Sequence, residues 1–191
     1  MPRRARSKVL DDGCYAHVYS RALERRNIFR EGDDFQCFKR LLTDTKQKYS
    51  YRIHHYCLMN THFHLAVSVH QVAAFSAALR EIKQDYVRWY NEKYEHKGPV
   101  WWGRFGSRLI QDETYLLACG TYIELNPVKA GLVAAPEEWK YSSSCHYFLG
   151  KKDDLIDDYD CSARADLREV ESGDYIGSRQ FVFDKQRALR E

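Results

Sequence analysis

The run from 52 to 69 constrains the fold most, because two segments of strand-like character flank an Asn60-Thr61 turn. Successive side chains of an extended strand point to opposite faces. Residues 62–69 therefore set Phe63, Leu65, Val67 and Val69 on one face, and His62 and His64 on the other. A hairpin over 52–59 and 62–69 follows, with its apolar side turned to a core. Both imidazoles leave the core side together.

Two neighbouring imidazoles on a rigid strand suit a divalent metal if a third ligand arrives from elsewhere. Ordinary surface histidines give the same spacing, so the pair alone leaves both readings open. A second stretch adds weight. Asp112 is placed to cap a helix with Glu113 in its first turn, and Pro127 is expected to end that helix by disfavouring helical geometry at the residue before it. Tyr122 falls in the last turn, and Asn126 lies four residues on, on the same face. One helix thus delivers a nucleophile and an oxygen ligand.

The remaining pattern is regular. Residues 14–20 alternate as a strand, with Tyr15, His17 and Tyr19 against Cys14, Ala16 and Val18. Asp33 or Asp34 is expected to cap a helix whose Phe35, Phe38, Leu41, Leu42, Thr45 and Tyr49 keep a three-four spacing. A second helix spans 72–90 with Phe75, Leu79, Ile82 and Tyr86 inward, and 104–110 supply a last strand. The order is that of a ferredoxin-like βαββαβ sheet in the α+β class, with both helices on one face and an added C-terminal tyrosine helix on the histidine face. Residues 1–150 form this domain. Residues 151–191 form a polar appendix in which Asp153, Asp154, Asp157, Asp158 and Asp160 cluster, read either as a solvated tail or as a negatively charged restraint on activity.

Charge is unevenly divided along the 191 residues. Residues 1–108 carry 20 Lys+Arg against 11 Asp+Glu, a balance of +9, and 109–191 carry 10 against 16, a balance of −6, which together give the net +3. A basic front half interleaved with aromatics fits a nucleic-acid surface. Cys14, Cys37, Cys57, Cys119, Cys145 and Cys161 lack paired metal or redox spacing and read as reduced, packed thiols. No apolar run reaches the ~20 residues of a membrane span, so a cytoplasmic protein with no membrane partner is expected.

His62-Phe63-His64 after Leu58-Met59-Asn60-Thr61, then Gly98-Pro99-Val100-Trp101 with Arg104-Phe105, then Tyr122-Ile123-Glu124-Leu125-Asn126-Pro127-Val128-Lys129-Ala130-Gly131, follow one another in consistent order. The combination resembles the REP-associated tyrosine transposases of the single-tyrosine HUH superfamily over roughly 10–150. That resemblance implies single-stranded DNA cleavage by Tyr122 through a 5′-phosphotyrosine link, on hairpin-bearing REP-like DNA. It implies Mg²⁺ or Mn²⁺ held by His62, His64 and Asn126; Zn²⁺ also suits histidines and ranks lower. It implies a monomer, with a dimer as the alternative.

Arg21, Arg25, Arg26 and Arg30 after the first strand, and Trp101, Trp102, Arg104 and Arg108 around the last, are the candidates for DNA contact, with cations on phosphates and aromatics on unpaired bases. Arg3, Arg4, Arg6 and Lys8 form a candidate basic arm. Each tryptophan also reads as core. Of the 14 tyrosines only Tyr122 matches the motif position. Glu124 is expected to point away from it into solvent. A catalytically silent hairpin-binding module and a replication-initiator nickase are the competing readings.

Overall fold

The alternation at the start of the chain becomes β1 (Cys14–Arg21), which lies inside a four-stranded sheet. The computed structural model describes residues 10–111 and 113–157, so Arg3, Arg4, Arg6, Lys8, Asp112 and 158–191 fall outside it. Helix α1 (Gly32–Tyr49) follows, then the hairpin of β2 (Tyr51–Met59) and β3 (His62–Val69), helix α2 (Val72–Lys93) and strand β4 (Gly106–Ile110). The strand order is β2-β3-β1-β4, antiparallel throughout. This is the ferredoxin-like arrangement expected from the sequence.

Register explains the two faces. Ala16, Val18 and Ser20 of β1 lie opposite Val67, Leu65 and Phe63 of β3, and this face meets α1 and α2 in the main core. Phe63 packs there with Phe29, Phe38, Tyr86 and Trp101, with ring centroids 5.0–6.4 Å apart. A bulge between Ile53 and His55 shifts the β2 register. After it, Tyr56 and Leu58 face the core while His55, Cys57 and Met59 face the other way, so β2 is buried on both sides.

The opposite face is covered by α3 (Glu113–Glu124), which seats Leu116 and Ile123 on Cys57, Met59, Ala66 and Ile110. Backbone geometry stays helical at Leu125, and the chain continues into α4 (Asn126–Lys129). The expectation that Pro127 stops the helix is therefore corrected. Pro127 sits in the first turn of α4, where its missing N–H removes no helical bond.

The cap of α1 also differs from expectation. Glu31 occupies the N-cap and Asp34 the third helical position, from which its Oδ2 accepts the backbone N–H groups of Arg30 and Glu31 at 2.6 and 3.0 Å. Asp34 is fully buried because Lys93 Nζ and Tyr94 Oη donate to its Oδ1 at 2.9 Å, joining the two helices.

Past α3 the chain returns to the outer edge of β2. Leu58 N–H donates to Tyr141 O and Ser143 N–H to Tyr56 O, both at 2.9 Å, just before α5 (Ser144–Leu149). Tyr141 stacks on Phe35 at 3.6 Å. The first residues of the appendix stay on this edge: Leu155 is buried in the main core, and Asp157 exchanges bonds with Ile53 through its backbone N–H (2.7 Å) and its Oδ2 (2.9 Å). Edge groups that would otherwise be open are thereby paired. Among the described residues no helix is long and apolar enough to cross a membrane, and Cys14, Cys37, Cys57, Cys119 and Cys145 are free thiols.

Candidate active site and nucleic-acid groove

β3 delivers His62 and His64 to the face opposite the main core, with ring centroids 5.0 Å apart. A third imidazole joins them from β1. His17 Nε2 lies 2.9 Å from His64 Nδ1, with the rings stacked at 5.2 Å. His62 Nδ1 is engaged with the Thr61 hydroxyl at 2.9 Å. These bonds occupy Nδ1 of each β3 histidine, so Nε2 is the nitrogen of each that could hold a metal.

Burial disfavours the protonated form of all three, and neighbouring positive charge adds to this at His17 and His64. Burial first, then the Arg108 guanidinium across the β1/β4 ladder, lower His17 to about 4. Burial lowers His62. His64 is lowered well below its ordinary value by burial, then by His17, His62 and Lys129. Neutral imidazole is the form that carries a lone pair for a metal.

α3 brings Tyr122 over this cluster. Its ring centroid is 6.0 Å from that of His17 and 6.1 Å from that of His64, both edge-on, and Lys129 Nζ stands 4.1 Å from the tyrosine ring centroid. Asn126 donates its Nδ2 to Tyr122 O (2.9 Å) and Ile123 O (3.0 Å), which ties the amide to the helix end and makes Oδ1 the atom that could bind a metal. Two neutral imidazoles and one amide oxygen are a donor set that Mg²⁺ or Mn²⁺ accepts.

Glu124 overturns the expectation of a solvent-facing residue. It is 4% exposed, and its Oε1 accepts from His55 Nδ1 at 2.8 Å and from Ser143 Oγ at 2.6 Å. The bulge in β2 turns His55 toward α3, and Gly120 is the notch that admits it: a Cβ there would overlap the imidazole. A second glycine does the same at the sheet, since a Cβ on Gly106 would overlap the Tyr19 ring beside His64.

The histidines open into a pocket of about 470 Å³ lined by Tyr19, Arg21, Arg25, Trp102 and Arg104 as well as His62 and His64. Arg21 lies over the Trp102 ring at 5.4 Å, and Trp102 is 49% exposed. Arg108 is exposed on β4, opposite His17. Other candidates are placed elsewhere. Arg26 pairs with Glu24 and bonds His96 at 2.9 Å, and Arg30 lies over Tyr94. Trp101 is corrected: it is 7% exposed, its Nε1 donates to Lys83 O, and it packs in the aromatic core, so it offers no face to a base.

The sequence reasoning missed His17 and Glu124. For His17 a signal was present, since it shares its face with Tyr15 and Tyr19, and a ferredoxin-like order sets β1 beside β3. For Glu124 it was not, because the bulge that aims His55 at it leaves no mark in the alternation.

The site is thus an antiparallel ferredoxin-like sheet with paired histidines on one strand and a tyrosine helix laid across them. The sequence model of the family described as IS200-like transposase matches residues 11–126, and the chain belongs to that family. A Haemophilus influenzae protein described as a REP-associated tyrosine transposase is 27% identical over 117 residues, covering 56% of this chain and 66% of that relative, just under two thirds of its length. The solved structure of a REP-associated tyrosine transposase bound to a REP hairpin superposes with a TM-score of 0.63 at 20% identity, over 83% of this chain and 94% of that one, a likeness of fold.

Proposed function

We propose that this protein is a metal-dependent single-stranded DNA endonuclease and strand transferase of the REP-associated branch, acting on hairpin-bearing DNA. The observation that carries the reading is the seating of Tyr122 against His17 and against His64, which itself lines a basic pocket that also holds Trp102. Family membership and the hairpin-bound structural relative support it.

In this reading the Tyr122 oxygen attacks the scissile phosphorus, the P–O3′ bond breaks, and the phenolic proton is given up as the departing 3′ oxygen gains one. The products are a 5′-phosphotyrosine link and a free 3′-OH, and attack by a DNA 3′-OH reverses the chemistry to join strands. Lys129, over the tyrosine ring, places positive charge beside the forming phenolate. Arg21, Arg25 and Arg104 hold the flanking phosphates, and Trp102 offers its open face to an unpaired base. His62, His64 and Asn126 Oδ1 would hold the metal. The chemistry supplied by a bound Mg²⁺ or Mn²⁺ is polarisation of the phosphate and stabilisation of charge on the 3′ oxygen. Tyr122 meets the histidines of its own chain, which supports action as a monomer.

The test is incubation with hairpin oligonucleotides from repeats near its own gene, with Mn²⁺ or EDTA, on a denaturing gel. A metal-dependent, SDS-resistant adduct lost in Tyr122→Phe and His64→Ala is the expected result. Tight hairpin binding without an adduct under any metal would make the protein a binding module instead.

A further inference from the structure

A second, larger cavity of about 770 Å³ lies between α2 and the 99–105 segment, and the site described above does not use it. Its rim and floor come from different rows of α2. Ser76, Arg80, Gln84 and Arg88 recur every fourth residue on the rim, and Arg80, Gln84 and Arg88 are exposed. Leu79, Lys83 and Val87 lie below them, facing Val100 and Phe105. From Arg80 to Arg88 the row is about 12 Å long at about 1.5 Å per residue.

Charge is segregated around this cleft. No carboxylate is among its lining residues, which include Arg80, Lys83, Arg88 and Arg104. The acidic Glu81 of the same helix is turned to α1, where Lys48 and Tyr49 donate to it at 2.6–3.0 Å. Asp85 pairs with Arg88 at the exposed margin. The buried Lys83 braces the wall by donating to Ser20 Oγ (2.9 Å) and Gly103 O (2.8 Å).

The cleft adjoins the histidine pocket. Arg104 lines both, and Ser20, which accepts from Lys83, lines the second. A cationic rim over an apolar floor is the chemistry of a single-stranded nucleic acid, whose phosphates meet arginines while a base leaves water.

We infer that the cleft between α2 and the 99–105 segment is a second DNA subsite, which takes the single-stranded segment running from the scissile phosphate past Arg104, with its phosphates on Arg80 and Arg88. The inference rests on the proposed function and extends the substrate beyond the hairpin. Strand length on that side of the cleavage point then governs affinity.

The test compares Arg80→Gln/Arg88→Gln with wild type by fluorescence anisotropy, using a hairpin oligonucleotide alone and the same hairpin carrying a single-stranded extension on either side. Arg40→Gln/Arg52→Gln, which removes equal charge from exposed positions outside the cleft lining, is the control. The expected result is roughly tenfold weaker binding of one extended oligonucleotide, with the slope of log K against log salt reduced by about 1.4, about 0.7 per lost phosphate contact. The bare hairpin is bound unchanged.

Equal binding of the extended oligonucleotides by variant and wild type would overturn the inference alone. So would an equal loss on bare and extended hairpins, which assigns the arginines to the duplex, or an equal loss in the control, which makes the effect one of net charge. Wild-type protein that binds no hairpin DNA would remove the proposed function and this subsite with it.

Discussion

Glu124 accepts a hydrogen bond from His55 at 2.8 Å across a buried interface, tying the last turn of the tyrosine helix to a strand of its own sheet. Ser143 adds a second donor to the same oxygen from the segment that follows. Tyr122 is two residues away, so the bond that stabilises the helix also sets where the nucleophile stands.

Glu124→Ala removes the buried carboxylate oxygen that His55 and Ser143 share and is expected to cost about 2–4 kcal/mol in urea unfolding. Glu124→Gln keeps an acceptor oxygen and is expected to recover more than half of that loss. Equal stability of the alanine variant and wild type would show that the buried bond contributes nothing.

His17→Ala removes the partner that orients His64. Mn²⁺ affinity by calorimetric titration is expected to fall by about 10- to 100-fold. His17→Gln, which offers an oxygen to the His64 N–H, restores part of it. Unchanged affinity in His17→Ala would confine His17 to packing.

In EDTA, stability is expected to fall as the solution is acidified. His17 is held at about 4 in the folded protein against an ordinary value of about 6.5, so the unfolded chain takes up the proton first. The stability associated with neutral His17 is complete above 6.5 and is lost as pH drops from there to about 4. At about 1.4 kcal/mol per pH unit this amounts to roughly 3 kcal/mol, and His62 and His64 act in the same direction. The slope of melting temperature against pH over this window should be shallower in His17→Gln.

Tyr122→Phe keeps the ring that meets His17, His64 and Lys129 and removes only the hydroxyl. Thermal stability is expected within about 0.5 kcal/mol of wild type, with hairpin binding intact and no covalent adduct. An adduct that survived would assign the nucleophile to another side chain.

Leu155→Ala is expected to cost about 2–5 kcal/mol, the penalty for emptying a packed leucine site. A chain ending at residue 150 would lose that contact, the Asp153 bonds to Tyr56 (2.6 Å) and Lys39 (2.9 Å), and the Asp157 cover of Ile53. If melting of the shortened protein matched wild type, residues 151–157 would be dispensable for the fold.

The hairpin, both long helices and the two faces of β3 were legible because each shows an uninterrupted period, two for the strands and three to four for the helices. Tyr122 and the histidine pair were legible as motifs. What escaped was non-local. Glu124 is buried by a histidine 69 residues away that a bulge redirects. Trp101 was ambiguous because an aromatic in a basic loop reads the same whether it faces a base or the core, and only the Phe29, Phe38 and Tyr86 rings around it decide. Asp34 kept its tie to the start of α1, but from inside the helix, because a carboxylate reaching back can serve the N-terminal groups as well as a true cap.

The two margins of the sheet are unequal. The outer side of β2 is spoken for along much of its length by the chain's own 141–143 and 157, whereas β4 ends the strand order on the other side with Arg108 and Leu109 exposed. Growth of this sheet by another strand, from a second copy or a passing peptide, therefore has one direction open to it among the described residues. That direction runs beside the histidine groove, so an added strand and a bound DNA strand would be neighbours competing for the same ground.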